Sequence, residues 1–260
     1  MQSPDTDHQR WLGPQPRGRA EVPKLFCFPY AGGGSAIFRG WDALIIACDV
    51  VPIRLPGREM RLSEPASSRL SELVPTIADA IVESAVRRFA FFGHSMGGLI
   101  AYEVTRELER RGDRLPSLLC VSARHTPSGQ IGPEWERAPY LGDDDFVAFL
   151  GGLSPDTERL LADRSLRELV LPALRADFRL CVGPRASGQD LVSVPILSLA
   201  GSDDQFVRPH ETMSWAEFTD DRFAQEVIQG DHFFVTSNAV DVCACLNGHL
   251  ERVFDVALVS

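Results

Sequence analysis

The chemistry-bearing residues of this 260-residue chain converge on one serine. Ser95 sits in Gly93-His94-Ser95-Met96-Gly97, directly after the apolar run Phe89-Ala90-Phe91-Phe92 and before Gly98-Leu99-Ile100-Ala101-Tyr102. The pattern is G-x-S-x-G, in which a short buried strand runs into a sharp turn and a helix begins at once. Gly93 and Gly97 supply the lack of bulk that such a turn demands. A serine held there points its hydroxyl out over the end of a sheet. The helix start behind it offers free N–H groups and the positive end of a dipole. That is a place to generate an alkoxide and then to hold an oxyanion.

A serine hydroxyl is a weak nucleophile until a base takes its proton. The base is expected to be a histidine oriented by a buried carboxylate, in the chain order Ser, Asp or Glu, His. Each partner should lie just past the end of a later strand. His232 meets that condition, in the loop Gly230-Asp231-His232 after the strand-like run ending at Ile228. Of the other histidines, His8 is in the polar start, His94 should point away from the Ser95 hydroxyl, and His125, His210 and His249 lie elsewhere. The carboxylate is one of the adjacent pair Asp203 and Asp204, with Asp204 preferred; Asp231 is too near His232 along the chain to orient it. An oxyanion needs two N–H donors. The first is expected from Met96, the residue after the nucleophile. The second should come from the turn after the first strand, among Tyr30, Ala31 and Gly32, and Ala31 is chosen.

The elements that must position these residues alternate between strand and helix. Lys24–Phe28, Asp49–Arg54, Phe89–Phe92, Leu118–Ser122, Pro195–Ala200 and Ala224–Ile228 read as strands. The stretches 71–87 and 96–110 read as helices, as does Asn238 to about Phe254. This predicts an α/β fold with a mainly parallel sheet covered on both faces. Between Ala123 and Val194 no strand is legible. Seventy or so residues are too many for a bare loop in a compact domain, and they read as helices around Asp144–Leu150, Pro155–Ala162 and Ser165–Cys181, the last with Pro172 expected to kink it. The expected organisation is a flexible segment 1–22, a core of 23–124 and 194–260, and a helical lid subdomain 125–193 over the C-terminal ends of the strands.

Apolar residues make up 44% of the chain and charged residues 24%, ordinary for a globular protein, and the formal net charge is −10. An acidic surface repels a phosphate backbone, so nucleic acid is not an expected partner. The chain shows no secretory signal and no apolar run of membrane-spanning length, and it is read as cytoplasmic, reduced and monomeric. Its six cysteines lack paired metal-ligand spacing and are read as free thiols. No metal or cofactor is expected.

Four segments together resemble a known family. Phe28-Pro29-Tyr30-Ala31-Gly32-Gly33-Gly34, the Ser95 motif with Gly98, Gly201-Ser202-Asp203-Asp204 and Gly230-Asp231-His232-Phe233-Phe234 are similar to the type II thioesterases. These are stand-alone α/β-hydrolases that accompany polyketide synthases and non-ribosomal peptide synthetases. The likeness runs from about Lys24 to Leu250 and includes Pro56-Gly57-Arg58 and the lid stretch Leu171-Pro172-Ala173-Leu174-Arg175-Ala176-Asp177-Phe178. After that stretch the family pattern has a glutamate and an aromatic residue, where this chain has Cys181-Val182-Gly183-Pro184. The resemblance implies hydrolysis of acyl groups from the phosphopantetheine thiol of an acyl or peptidyl carrier protein, clearing aberrant or stalled chains. Carriers are commonly acidic, so docking on an acidic enzyme calls for a local basic patch, which Arg54, Arg58 and Arg61 could form. Two other readings use the same residues: a small-molecule carboxylesterase or lipase, and a non-catalytic binding module.

Overall fold

The computed structural model describes residues 7–13, 21–129, 132–153, 155–183 and 191–255. The strands are β1 (Lys24–Phe28), β2 (Asp49–Pro52), β3 (Phe89–His94), β4 (Leu119–Ser122), β5 (Ile196–Gly201) and β6 (Phe223–Ile228). They form one sheet in the order β2-β1-β3-β4-β5-β6, parallel at every pairing. β1, β3, β4 and β5 are buried along their whole length, as parallel strands with both faces covered must be. β6 lies at the sheet edge and is only partly buried.

The helices are α1 (Asp7–Leu12), α2 (Trp41–Leu44), α3 (Leu70–Glu83), α4 (Met96–Arg111), α5 (Pro133–Arg137), α6 (Asp143–Leu153), α7 (Pro155–Ala162), α8 (Arg164–Val182), α9 (Pro209–Thr212), α10 (Phe234–Ser237) and α11 (Ala239–Phe254). Alternating strand residues build two cores. Phe26, Phe28, Phe89 and Phe91 face Leu73, Ile77 and Ile81 of α3 and Ile100 and Val104 of α4. Leu25, Cys27, Ala90 and Phe92 face Trp41 of α2 and Leu246 and Leu250 of α11. The architecture is the α/β-hydrolase fold.

α3 ends four residues short of the expected Arg87, because Ala85 takes a left-handed backbone (φ 53°) and stops it. Between β4 and β5 lie α5 to α8, with an apolar cluster of their own built from Phe146, Leu150, Leu161, Leu171, Leu174 and Phe178. α8 runs through Pro172 as one helix. α5 is an element the sequence reading lacks, since five residues with none buried carry no apolar period.

The chain start needs a correction. Residues 1–22 were expected to be flexible, but α1 is docked: Trp11 and Leu12 are buried in the first core. The Arg54 N–H donates to the Trp11 carbonyl at 2.8 Å, and the Arg61 guanidinium lies 4.1 Å from the Trp11 ring centre. The reason is local: one adjacent apolar pair fills a groove against α3, a signal too short to show as periodicity. Residues 1–6 and 14–20 lie outside the described residues. Trp11→Ala is therefore expected to lower unfolding free energy by about 3 kcal/mol, read as a drop in urea midpoint. An unchanged midpoint would show that α1 adds nothing to the fold.

Candidate active site

The site lies along the C-terminal ends of the strands. β1 lies between β2 and β3, so the loops leaving β1 and β3 straddle the point where the strand order reverses, the usual ligand crevice of such sheets. β3 delivers Ser95, whose backbone sits at φ 52°, ψ −114°, a sparsely populated region for a residue with a side chain. Its N–H donates to the Ser122 carbonyl at 2.7 Å, continuing the β3–β4 ladder. The flanking glycines are compulsory here. A Cβ on Gly93 would stand 2.2 Å from the Gly97 carbonyl oxygen, and one on Gly97 would stand 2.0 Å from that of Phe28.

Three expected residues come together in a line. His232 Nε2 lies 3.1 Å from Ser95 Oγ, and His232 Nδ1 lies 2.8 Å from Asp204 Oδ2. Nδ1–H donates to the carboxylate, which leaves the Nε2 lone pair to accept from the serine hydroxyl. Asp204 is only 4% exposed, and its Oδ1 accepts the N–H groups of Phe206 (2.8 Å) and Val207 (3.0 Å). Burial pushes its carboxyl pKa up. The hydrogen bond and charge of His232, with those two amides, outweigh burial and hold it below the ordinary carboxylate value. Asp203 instead accepts from the Ser202 hydroxyl at 2.8 Å, and Asp231 accepts the Phe233 N–H within its own loop.

His94 is a member of the site that sequence reasoning passed over. It is fully buried. Its Nε2–H donates to the His232 carbonyl at 2.7 Å, and its Nδ1 accepts from the Ser122 hydroxyl at 2.9 Å. Burial, then the nearby His232, push its pKa down to about 3, so it is neutral and holds the His232 loop as a fixed donor. Only the fold brings its partners, 28 and 138 residues away, to it. His125 sits by Glu211 at 3.5 Å, outside this line.

The turn after β1 narrows the choice of second amide donor. The Gly32 N–H is taken by Asp177 Oδ2 at 2.7 Å, leaving Tyr30 and Ala31. Met96 is the first residue of α4, where an amide has no carbonyl within its own helix. Ser95, His232, Tyr30 and Ala31 border a cavity of about 1500 Å³, walled by Trp135, Phe149, Leu153, Leu174 and Phe178 from the helical insertion.

The proposed basic patch needs a correction. Arg58 is committed to the buried Asp177 through two 2.7 Å hydrogen bonds. Arg61 is buried, bonded to Glu64 at 3.0 and 2.6 Å and to the Arg54 carbonyl. Both arginines tie the fold together, so reversing their charge would test folding and not docking.

Residues 23–250 match the family model described as a thioesterase domain. The chain belongs to the thioesterase family. It is 35% identical over 213 residues to the gramicidin S biosynthesis protein GrsT of Aneurinibacillus migulanus, covering 82% of each chain. It is 32% identical to the linear gramicidin dehydrogenase LgrE of Brevibacillus parabrevis, covering 96% of each. The word dehydrogenase belongs to that relative; the family model and the serine–histidine–carboxylate line here are hydrolase features. Among solved structures it is similar to the type II thioesterase BorB from the borrelidin biosynthetic cluster, at 29% identity and TM-score 0.78, covering 93% of this chain and 96% of that one. Thioester hydrolysis is the activity class of this thioesterase. Among the described residues no helix is long and apolar enough to cross a membrane.

His94 gives this thioesterase a built-in acid sensitivity. An unfolded chain protonates a histidine near pH 6.5, whereas the folded site resists until about pH 3. Between those values the unfolded state binds the extra proton, so stability falls as pH drops, by up to ~1.4 kcal/mol per unit. His94→Gln is expected to flatten that slope in urea unfolding measured from pH 7 to pH 4. Parallel curves for parent and variant would contradict it.

Proposed function

We propose that this thioesterase uses Ser95, His232 and Asp204 as nucleophile, base and orienting carboxylate to clear acyl groups from carrier proteins of a polyketide or non-ribosomal peptide synthase. The hydrogen-bonded line of those three side chains beside an apolar-walled cavity supports the chemistry most directly. The substrate class rests on kinship with proteins named for gramicidin S biosynthesis and the borrelidin cluster.

His232 Nε2 takes the hydroxyl proton as Ser95 Oγ attacks the thioester carbonyl carbon. The negative charge that develops on the carbonyl oxygen is met by the N–H groups of Ala31 and Met96. The tetrahedral intermediate collapses, the C–S bond breaks, and His232 returns its proton to the departing phosphopantetheine sulfur. A thiol of pKa ~8.5 leaves more readily than an amine and asks less of that proton transfer. Water, deprotonated by His232, then attacks the acyl-serine. The second intermediate expels Ser95, which regains its proton, and the free acid departs. Throughout, Asp204 keeps the imidazole in the tautomer that presents Nε2 to the serine and stabilises the imidazolium. The apolar wall of the insertion would hold the acyl chain away from bulk water.

The test offers the same acyl group on a carrier protein, on free pantetheine and as a simple oxygen ester, with carrier deacylation followed by mass spectrometry. Carrier-bound thioester should be hydrolysed fastest, and Ser95→Ala should reduce its turnover by roughly 10⁴-fold or more. Equal rates on free esters, with no gain from the carrier, would replace this reading with that of a general carboxylesterase.

A further inference from the structure

Two segments that the reaction does not use directly, Pro56-Gly57-Arg58 and the α8 stretch through Asp177, meet beside the proposed oxyanion site although Arg58 and Asp177 are 119 positions apart. Arg58 Nη1 and Nη2 each donate at 2.7 Å, to Asp177 Oδ2 and Oδ1. Asp177 is 1% exposed. The same Oδ2 accepts the Gly32 N–H at 2.7 Å, and Arg58 Nη1 also donates to the Gly33 carbonyl at 2.9 Å.

These contacts fix successive peptide planes. A peptide unit is planar and trans, so its C=O and N–H point in opposite directions. The Tyr30 carbonyl is drawn into the turn by the Gly33 N–H at 2.9 Å, which turns the Ala31 N–H of the same plane outward. The next plane is held through Gly32 N–H by Asp177, and the Gly33 carbonyl by Arg58. The turn also accommodates the helix closely: Gly32 has φ +79°, and a Cβ there would lie 2.5 Å from Leu174 Cδ2 of α8.

We propose that Arg58 and Asp177 are positioning residues for catalysis: the lid helix α8 holds the oxyanion turn, and Ala31 aims its amide only while that ion pair is closed. The proposal rests on Ala31 being the second oxyanion donor. It gives the helical insertion a part in catalysis beyond walling the cavity, because displacement of Asp177 releases the turn.

Removing one partner alone leaves a buried unpaired charge and tests folding instead. The primary variant is therefore the double change Arg58→Met with Asp177→Leu, since buried pairs replaced together by apolar residues of similar size commonly fold. Arg58→Lys is the milder second variant, keeping the charge on Asp177 while losing the two-pronged grip. Each is measured for kcat and KM on an acyl-pantetheine thioester. Affinity is measured for a trifluoromethyl ketone of the same chain, which forms an oxyanion adduct with the serine, and for the matching unreactive thioether. For the double variant, kcat and ketone affinity should fall together by about 10²-fold, while KM and thioether affinity stay within about twofold. Arg58→Lys should fall about tenfold in the same two quantities. The proposal is overturned if kcat and ketone affinity in the folded variants match the parent, or if thioether affinity falls equally, as a purely structural tie would give. A parent that neither hydrolyses the thioester nor binds the ketone would overturn the underlying oxyanion assignment as well.

Discussion

Ser95 can hold its strained backbone only because its neighbours at Gly93 and Gly97 carry no side chain. With about 2 Å between their Cβ positions and the nearest carbonyl oxygens, no side chain could be fitted without moving β1 or the start of α4. Backbone strain of this kind typically costs ~1–3 kcal/mol, against a total stability on the order of 5–15 kcal/mol. The aromatic core beneath makes that tolerable: Phe26, Phe28, Phe89 and Phe91 pack edge-on or tilted with ring centres 5.3–6.1 Å apart. The sheet is thus densely packed beneath the turn, and the serine hydroxyl is presented at the C-terminal end of β3.

The histidine is delivered by an edge strand. The His232 loop is held by Asp204 on Nδ1, by His94 on the backbone carbonyl, by the Asp203 N–H on the Gly230 carbonyl, and by the packing of Phe233 against Tyr30 at 5.6 Å. Tyr30 also packs against His94 at 5.9 Å. The turn after β1, the Ser95 turn and the histidine loop therefore form one connected unit. Its charges are arranged in sequence: Asp204 ionised and accepting from three donors, and His94 neutral so that it supports the loop without adding a competing positive charge. An ionised His94 would sit 5.5 Å, ring to ring, from the His232 imidazole, which takes up a proton in the mechanism proposed here.

Much of this was legible in the sequence, for reasons that lie in particular residues. The strands through Phe26, Phe91 and Leu197 show as apolar runs because both faces of the sheet are covered. The order Ser95, Asp204, His232 could be followed because each sits just past such a run. What the sequence hid depends on distant partners. Asp203 and Asp204 differ only in which way the loop turns them. Arg58 looks like a solvated charge until Asp177 is brought to it, Arg61 until the Trp11 ring packs against it, and His94 looks incidental until the His232 carbonyl is in place. Trp11 and Leu12 form an apolar pair too short to announce a helix within a start that is otherwise polar and rich in arginine and proline.

The proposed mechanism turns on acylation of Ser95. Rapid quenching of the enzyme with acyl-carrier, followed by peptide mass spectrometry, tests it directly. The acyl mass should appear on the peptide containing Ser95 within the first turnover and disappear as the free acid forms. Deacylation of the carrier with no acyl adduct on Ser95, or with the adduct on another residue, would contradict it.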